Sequence, residues 1–228
     1  QKVFDMKVTV FGGGYVGLVT SACLAHVGHQ VICVDRGAQK VETLQQGVCP
    51  IFESGLEDYL VDGQWENVLV FTDEPAFAIN HAAVVFIAVG RSTDEDGTAG
   101  TSHVLSVAKT AGTYLEKFTV VVIKSTVFVG TADAVRSEIQ KVLEMRGVEI
   151  MFEVASNSEF LKEGAAISAF MKPDRIVVGT ESERVEVMMR ELYAPFNRNH
   201  DRLMVMSLRS SELTKYAANA VGHKNQLY

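Results

Sequence analysis

Apolar, largely β-branched runs recur along the chain at 8–11, 30–34, 68–71, 84–89, 119–123, 154–155, 176–179 and 203–206. Most are apolar at nearly every position rather than at every second one. That pattern predicts strands covered on both faces, hence a parallel sheet joined by right-handed crossovers. The stretches between them predict helices over 16–27, 40–46, 56–60, 103–115, 132–146, 183–193 and 210–221. The expected class is α/β: a doubly wound, mostly parallel, Rossmann-like sheet ending in the start of a helical connector. In the last helix Leu213, Tyr216, Ala217, Ala220 and Val221 fall at i, i+3, i+4, i+7 and i+8 and form one apolar stripe. Ser211, Lys215 and Asn219, spaced by four, share the opposite, polar face, and Gly222 is expected to break the helix. An apolar stripe ending so abruptly implies a packing partner beyond it.

No internal repeat, low-complexity tract or Pro-rich linker divides the chain. Met6-Lys7-Val8 reads as a natural start, so residues 1–5 read as a remnant of other origin. The 28 acidic residues outnumber the 21 basic ones, for a net charge of −7, with no block of Lys or Arg. That balance argues against nucleic acid as a partner, because such binding rests on neutralising phosphates. The longest apolar run, 82–89, falls far short of the roughly 18 residues that span a membrane, and no secretory leader is visible. Cys23, Cys33 and Cys49 are odd in number and lack Cys-x-x-Cys spacing, which indicates neither a disulfide framework nor a zinc site and fits a reducing cytoplasm. The six histidines suggest no metal site either: His26-x-x-His29 straddles a helix end without a third ligand.

The first strand runs directly into Gly12-Gly13-Gly14-Tyr15-Val16-Gly17, a G-x-G-x-x-G match that opens a helix. Its glycines suit a tight turn, close backbone approach to a pyrophosphate and close helix-to-strand packing. The N–H groups of the helix start, around Tyr15 and Val16, suit the phosphates. The next strand ends at Asp35, eighteen residues after Gly17, where a carboxylate accepts from an adenosine ribose and repels a 2′-phosphate. NAD is favoured over NADP, although Arg36 alongside would suit a 2′-phosphate.

Further segments carry a resemblance. Gly12-Gly-Gly-Tyr-Val-Gly-Leu-Val-Thr20, Lys124-Ser-Thr-Val127, Ser156-Asn-Ser-Glu-Phe-Leu-Lys-Glu-Gly-Ala165, Pro173-Asp-Arg-Ile-Val-Val-Gly179, Ala194-Pro-Phe-Asn-Arg-Asn199 and Ser211-Glu-Leu-Thr-Lys-Tyr-Ala-Ala-Asn219 occur in order. The series resembles the nucleotide-sugar 6-dehydrogenases (the UDP-glucose/GDP-mannose dehydrogenase family), and its UDP-glucose members more than its GDP-mannose members. The resemblance implies NAD as cofactor, UDP-glucose as substrate, oxidation to UDP-glucuronate through a cysteine-bound intermediate, and a homodimer for the complete enzyme. It also implies an NAD-binding domain over 6–207, with 208–228 beginning a central dimerisation domain.

The same resemblance assigns roles. Thr126 would position a water near the reacting carbon; its other reading is an ST-turn or helix-cap hydroxyl. Glu159 would move a proton, while Ser156-x-x-Glu159 also reads as a capping box. Phe160, Leu161 and Lys162 would line the nucleotide-sugar site, and Glu163 would face the nicotinamide. Lys215 and Asn219 would stabilise negative charge on the sugar C6 oxygen; on spacing alone they read as a solvated helix face. Lys40 would be a second ribose contact, or an ordinary surface lysine.

Departures stand beside the matches. The family's Gly-Gly-x-Cys segment does not occur in these 228 residues, and Cys23 and Cys33 read as packing residues. Ser54, Ser92, Phe128 and Ser158 stand where proline is expected, and Arg91 where a threonine is usual. A non-catalytic nucleotide-sugar- or NAD-binding protein, a dehydrogenase of GDP-mannose or another nucleotide sugar, and a hydroxyacid dehydrogenase remain alternatives.

Overall fold

A computed structural model describes residues 5–90, 92–93, 99–197 and 201–224, with side chains at all of these except 92–93, 99–100, 216 and 218–224. Five strands form the first part of the sheet: β1 (Lys7–Phe11), β2 (Gln30–Val34), β3 (Leu69–Thr72), β4 (Val84–Ile87) and, beyond a short antiparallel pair β5 (Ser92–Thr93) and β6 (Ala99–Gly100), β7 (Thr119–Ile123). Then come β8 (Phe152–Ser156), β9 (Ile176–Gly179) and β10 (Leu203–Met206), and the sheet order is β10-β9-β8-β7-β4-β1-β2-β3. The chain therefore builds outward from β1 in one direction and then, from β4, in the other. The crevice between the carboxyl ends of β1 and β4 is the switch point at which such sheets bind ligands.

Alternate residues of the central strands enter two separate cores. Val84, Phe86, Val120 and Val122 pack on one face, and Val85, Ile87, Val121 and Ile123 on the other. This is the period-two consequence of strands that are apolar throughout, and each such buried side chain contributes about 1.5–3 kcal/mol. The first face is covered by α1 (Tyr15–His26), α2 (Ala38–Gln45), α3 (Leu56–Trp65), α7 (Ala166–Met171) and α8 (Glu183–Tyr193). The second is covered by α4 (Pro75–His81), α5 (Ser102–Tyr114) and α6 (Thr131–Arg146). The doubly wound α/β class is thus the fold observed.

Three features differ from the sequence expectation. The sheet is not parallel to its edge: β9 pairs antiparallel with β8 through Ser156 and Gly179, and β10 runs parallel to β9, so both outer strands oppose the rest. Helices α4 and α7, of seven and six residues, carry too few turns for a period to register. The last helix, α9 (Leu208–Lys224), continues through Gly222, since one glycine costs a helix only about 1 kcal/mol relative to alanine.

The orientation of α9 also reverses the simplest reading of its stripes. Ser211 and Lys215 are buried against the sheet, whereas Leu213, 57% exposed, and Ala217 face outward. Close contact with the sheet selects the small polar face. A Cβ on Gly179 would lie 2.5 Å from that of Ser211, and the Ser156 hydroxyl donates to Ser211 Oγ at 2.6 Å. The neighbouring Glu212, also buried, accepts from the N–H groups of Gly130 (2.7 Å) and Ala132 (2.9 Å) and so caps α6 from across the fold. No helix among the described residues is long and apolar enough to cross a membrane.

Candidate functional site

The glycine loop follows β1 at the switch point, and its three glycines do different things. A Cβ on Gly12, whose φ is +116°, would lie 2.4 Å from the Ala88 carbonyl oxygen of the neighbouring strand end. One on Gly17 would lie 1.7 Å from the Gly12 carbonyl oxygen, so this residue lets α1 sit against the loop. Gly14 instead faces open space, with nothing within 4 Å of where its Cβ would be. No side chain caps α1 at Gly14, which leaves its first N–H groups and the positive end of the helix for an anion. The open space at Gly14 and the uncapped helix start suit a pyrophosphate. Tyr15 and Val16 form the first turn beside it.

Next to the loop lies a cleft of about 380 Å³ whose lining includes Gly12, Gly14, Asp35, Lys40 and Gly90. Asp35 Oδ2 accepts from Gly13 N–H (2.8 Å) and Lys40 Nζ (2.8 Å), and Oδ1 accepts from Gly37 N–H (2.9 Å). Burial works to raise this carboxyl, but the Lys40 ammonium and the Gly37 and Gly13 N–H groups outweigh it and hold it below its ordinary range. With two lone pairs on each oxygen, Oδ1 keeps one free acceptor direction for a ribose hydroxyl. Arg36 lines the same cleft and is exposed.

The second cleft, about 1000 Å³, opens where β7, β8 and α9 meet. Its lining holds five cationic side chains, Lys124, Lys162, Lys172, Arg175 and Lys215, against the carboxylates of Glu159 and Asp174, in a chain whose net charge is −7. Such a concentration of positive charge suits a phosphorylated ligand. At its floor Lys215 Nζ donates to the Glu159 carbonyl and to Glu159 Oε1 at 3.0 Å, with only 10% and 15% of the two side chains exposed. The same ammonium lies 5.1 Å from the centre of the Phe160 ring, and the Arg175 guanidinium 5.0 Å from it.

Glu159 Oε2 accepts from Leu161 N–H at 2.7 Å in a non-helical loop. The capping-box reading of Ser156 and Glu159 therefore does not hold, because Ser156 ends a strand and turns to Ser211. Leu161 and Lys162 line this cleft, whereas Glu163 is exposed and lines neither cleft. Thr126, half-buried, follows the carboxyl end of β7 and does not cap α6, which Glu212 serves. The Asn219 side chain, like those of Arg91 and Ser92, lies outside the described residues. Ser54 and Phe128 are exposed, and Ser158 lines the second cleft.

Sequence reasoning missed a buried group in this cleft. Lys124, 4% exposed, donates to Asn157 Oδ1 at 3.1 Å, and the Tyr193 hydroxyl donates to the same oxygen. Asn157 in turn donates to the Val177 carbonyl at 2.8 Å. Burial pushes Lys124 down to about 8, the Glu159 charge opposing the shift and that of Lys215 adding to it. Its signal was present: a lone lysine immediately after five buried strand residues, at the end of the sheet where ligands bind. Among the described residues, no three His, Cys, Asp or Glu side chains gather as a metal site would require.

A glycine loop at the switch point of a doubly wound sheet, with an acidic residue closing the second strand, defines a Rossmann-like dinucleotide-binding domain. Residues 6–197 match the model of the UDP-glucose/GDP-mannose dehydrogenase family, NAD binding domain, and the chain belongs to that family. It is 48% identical over 215 residues to a UDP-glucose 6-dehydrogenase of Pseudomonas aeruginosa, covering 94% of this chain and 48% of the relative. A Rhizobium meliloti UDP-glucose 6-dehydrogenase is 44% identical, over 94% of this chain and 49% of its own length. Among solved structures, a UDP-glucose dehydrogenase from Pyrobaculum islandicum superimposes with a TM-score of 0.87 at 34% identity, covering 96% of this chain and 50% of the other. A Pseudomonas aeruginosa GDP-mannose dehydrogenase does so with the same TM-score at 31% identity, over 97% and 51%. The chain spans about half the length of the relatives it matches.

Proposed function

We propose that this chain is the NAD-binding portion of a UDP-glucose 6-dehydrogenase that carries the floor of the sugar site. The observation that supports it best is the enclosed Lys215–Glu159 pair at the base of a cationic cleft, beside a separate dinucleotide cleft. On this reading Gly12, Gly14, Gly17 and the first turn at Tyr15 and Val16 receive the pyrophosphate, and Asp35 and Lys40 the adenosine ribose. Bound NAD supplies the hydride acceptor. Lys215, with Asn219 one turn on, stabilises charge developing on the C6 oxygen, and Glu159 takes the alcohol proton. Phe160, Leu161 and Lys162 hold the nucleotide sugar, Thr126 orients a water, and Glu163 faces the nicotinamide.

The proposed division is an NAD-binding domain over 6–207 followed by the start of a dimerisation domain over 208–228, in a homodimeric cytoplasmic enzyme. The 228 residues contain no Gly-Gly-x-Cys segment. Cys23 and Cys33 are buried and Cys49 points its thiol at the Ile51 carbonyl, so on this reading none of the three is the nucleophile of the second oxidation.

Calorimetric titration with NAD+, NADP+, UDP-glucose and GDP-mannose tests the reading. NAD+ and UDP-glucose are expected to bind at least tenfold more tightly than NADP+ and GDP-mannose, with no UDP-glucuronate formed by this chain. Absence of UDP-glucose binding, or GDP-mannose binding as tight as that of UDP-glucose, would overturn the substrate assignment, and turnover of UDP-glucose to the acid would overturn the claim that these residues lack the nucleophile.

A further inference from the structure

The two clefts are tied together by a carboxylate that neither assignment uses. Glu53 lies in the segment between α2 and α3, and is only 6% exposed despite its charge. Its Oε2 accepts from the Tyr15 hydroxyl at 2.8 Å and from Gly164 N–H at 2.8 Å, and its Oε1 accepts from Ala166 N–H at 2.9 Å. The Tyr15 hydroxyl also lies 3.3 Å from the Lys162 carbonyl. One side chain thus joins the first residue of α1, beside the glycine loop, to the loop that carries Glu159, Phe160, Leu161 and Lys162.

The join is built for register. Gly164 has a φ of +81°, a conformation that side chains resist, and its N–H is held at one oxygen while Ala166, the first residue of α7, is held at the other. Burial works to raise Glu53, but hydrogen bonds from Tyr15, Ala166 and Gly164 outweigh it and hold it below the ordinary range. Burial of Tyr15, then the Glu53 hydrogen bond and charge, push the phenol well above its ordinary value, so it donates across the physiological range. The ends of the clamp are far apart in sequence: 38 residues separate Tyr15 from Glu53 and 111 separate Glu53 from Gly164.

We propose that Glu53 and Tyr15 form a positioning clamp that couples the dinucleotide loop to the 159–166 segment, so that NAD and the nucleotide sugar each strengthen binding of the other. This rests on the reading of the two clefts given above. A pyrophosphate on the α1 N-terminus fixes the backbone that carries Tyr15. The Tyr15 hydroxyl, donating to Glu53 and lying against the Lys162 carbonyl, then holds the geometry that presents Phe160 and Lys162 to the sugar. Linkage makes the effect equal in both directions.

The test is a calorimetric titration of this chain with NAD+ and with UDP-glucose, each alone and each in the presence of the other, for wild type, Tyr15→Phe and Glu53→Gln. In wild type, saturating UDP-glucose is expected to tighten NAD+ at least fivefold, with the same factor for UDP-glucose when NAD+ is saturating. Tyr15→Phe is expected to bring that factor to about one, whatever its effect on either affinity alone. Glu53→Gln, whose amide nitrogen cannot accept from Gly164 or Ala166, is expected to weaken UDP-glucose about tenfold. If Glu53→Gln does not fold, the Tyr15→Phe ratio decides alone. Independent binding in wild type, or an unchanged factor in Tyr15→Phe, overturns the clamp and leaves the functional reading standing. Failure of wild type to bind either ligand removes the functional reading itself.

Discussion

The two clefts reach comparable chemical definition by opposite routes. At the cofactor end the loop is written in six consecutive residues, 12–17, and Asp35 closes the adjacent strand. There the backbone does much of the work, through glycines that collide or leave space and through uncapped N–H groups. At the proposed sugar end Lys124, Asn157, Glu159, Tyr193 and Lys215 come from four stretches of chain, Asn157 and Glu159 sharing one, and side chains hold side chains. The first arrangement forms once a strand and a helix have met. The second exists only when the whole second half of the sheet has docked, with α9 laid across its end. A site of the first kind is sensitive to volume, and one of the second to charge.

The largest expected effect follows from that distinction. Gly17→Ala puts a Cβ 1.7 Å from a backbone oxygen with no flexible group to yield, so α1 must leave the loop. A loss of about 3 kcal/mol or more is expected, roughly a 6–12 °C drop in Tm by differential scanning calorimetry. Gly14→Ala, the same change three residues earlier in open space, should leave Tm within about 2 °C while weakening NAD+. Equal Tm losses in the two variants would show that the glycines are not divided between packing and ligand.

In the second cleft Lys215→Met leaves the Glu159 carboxylate enclosed without its cation. Breaking such a pair is expected to cost about 2–4 kcal/mol in chemical denaturation, part of it recovered in Lys215→Met with Glu159→Gln. Strictly additive losses would contradict the pairing. Asp35→Ala removes the acceptor of three donors at once and should weaken NAD+ about tenfold while leaving UDP-glucose affinity when titrated alone within twofold.

The smallest effect is a pH dependence. Lys124 titrates at about 8 in the folded chain against 10.5 ordinarily. Between those values the unfolded chain holds a proton that the folded one has released, so this group makes stability rise with pH across the window. The affinity for an anionic sugar nucleotide should move the opposite way, falling about threefold from pH 7 to pH 9 as the cation is lost. Lys124→Met is expected to flatten both profiles, and a UDP-glucose affinity that still falls with pH in that variant would assign the titration elsewhere.

What the sequence made legible tracks the same contrast. The strands and the glycine loop could be read because their determinants are consecutive: apolar runs, glycines and one acid. The reversal of β9 and β10 could not, because nothing in an apolar strand states its direction. The buried polar face of α9 defeated periodicity, since amphipathicity reports which face is apolar and not which face the fold covers. Here Ser211, Glu212 and Lys215 face inward because buried partners wait for each of them. The roles proposed for Glu159 and Lys215 rest on resemblance, whereas Glu53 and Asn157 carry no local signal, their partners being 20 to 113 residues away.

The most direct measurement is calorimetric titration of UDP-glucose into this chain, wild type against Lys215→Met, with NAD+ titrated alone into the same two proteins as reference. UDP-glucose is expected to weaken at least tenfold in the variant while NAD+ stays within threefold. Unchanged UDP-glucose affinity, or an equal loss for both ligands, would contradict an assembled sugar site standing beside a locally encoded cofactor site.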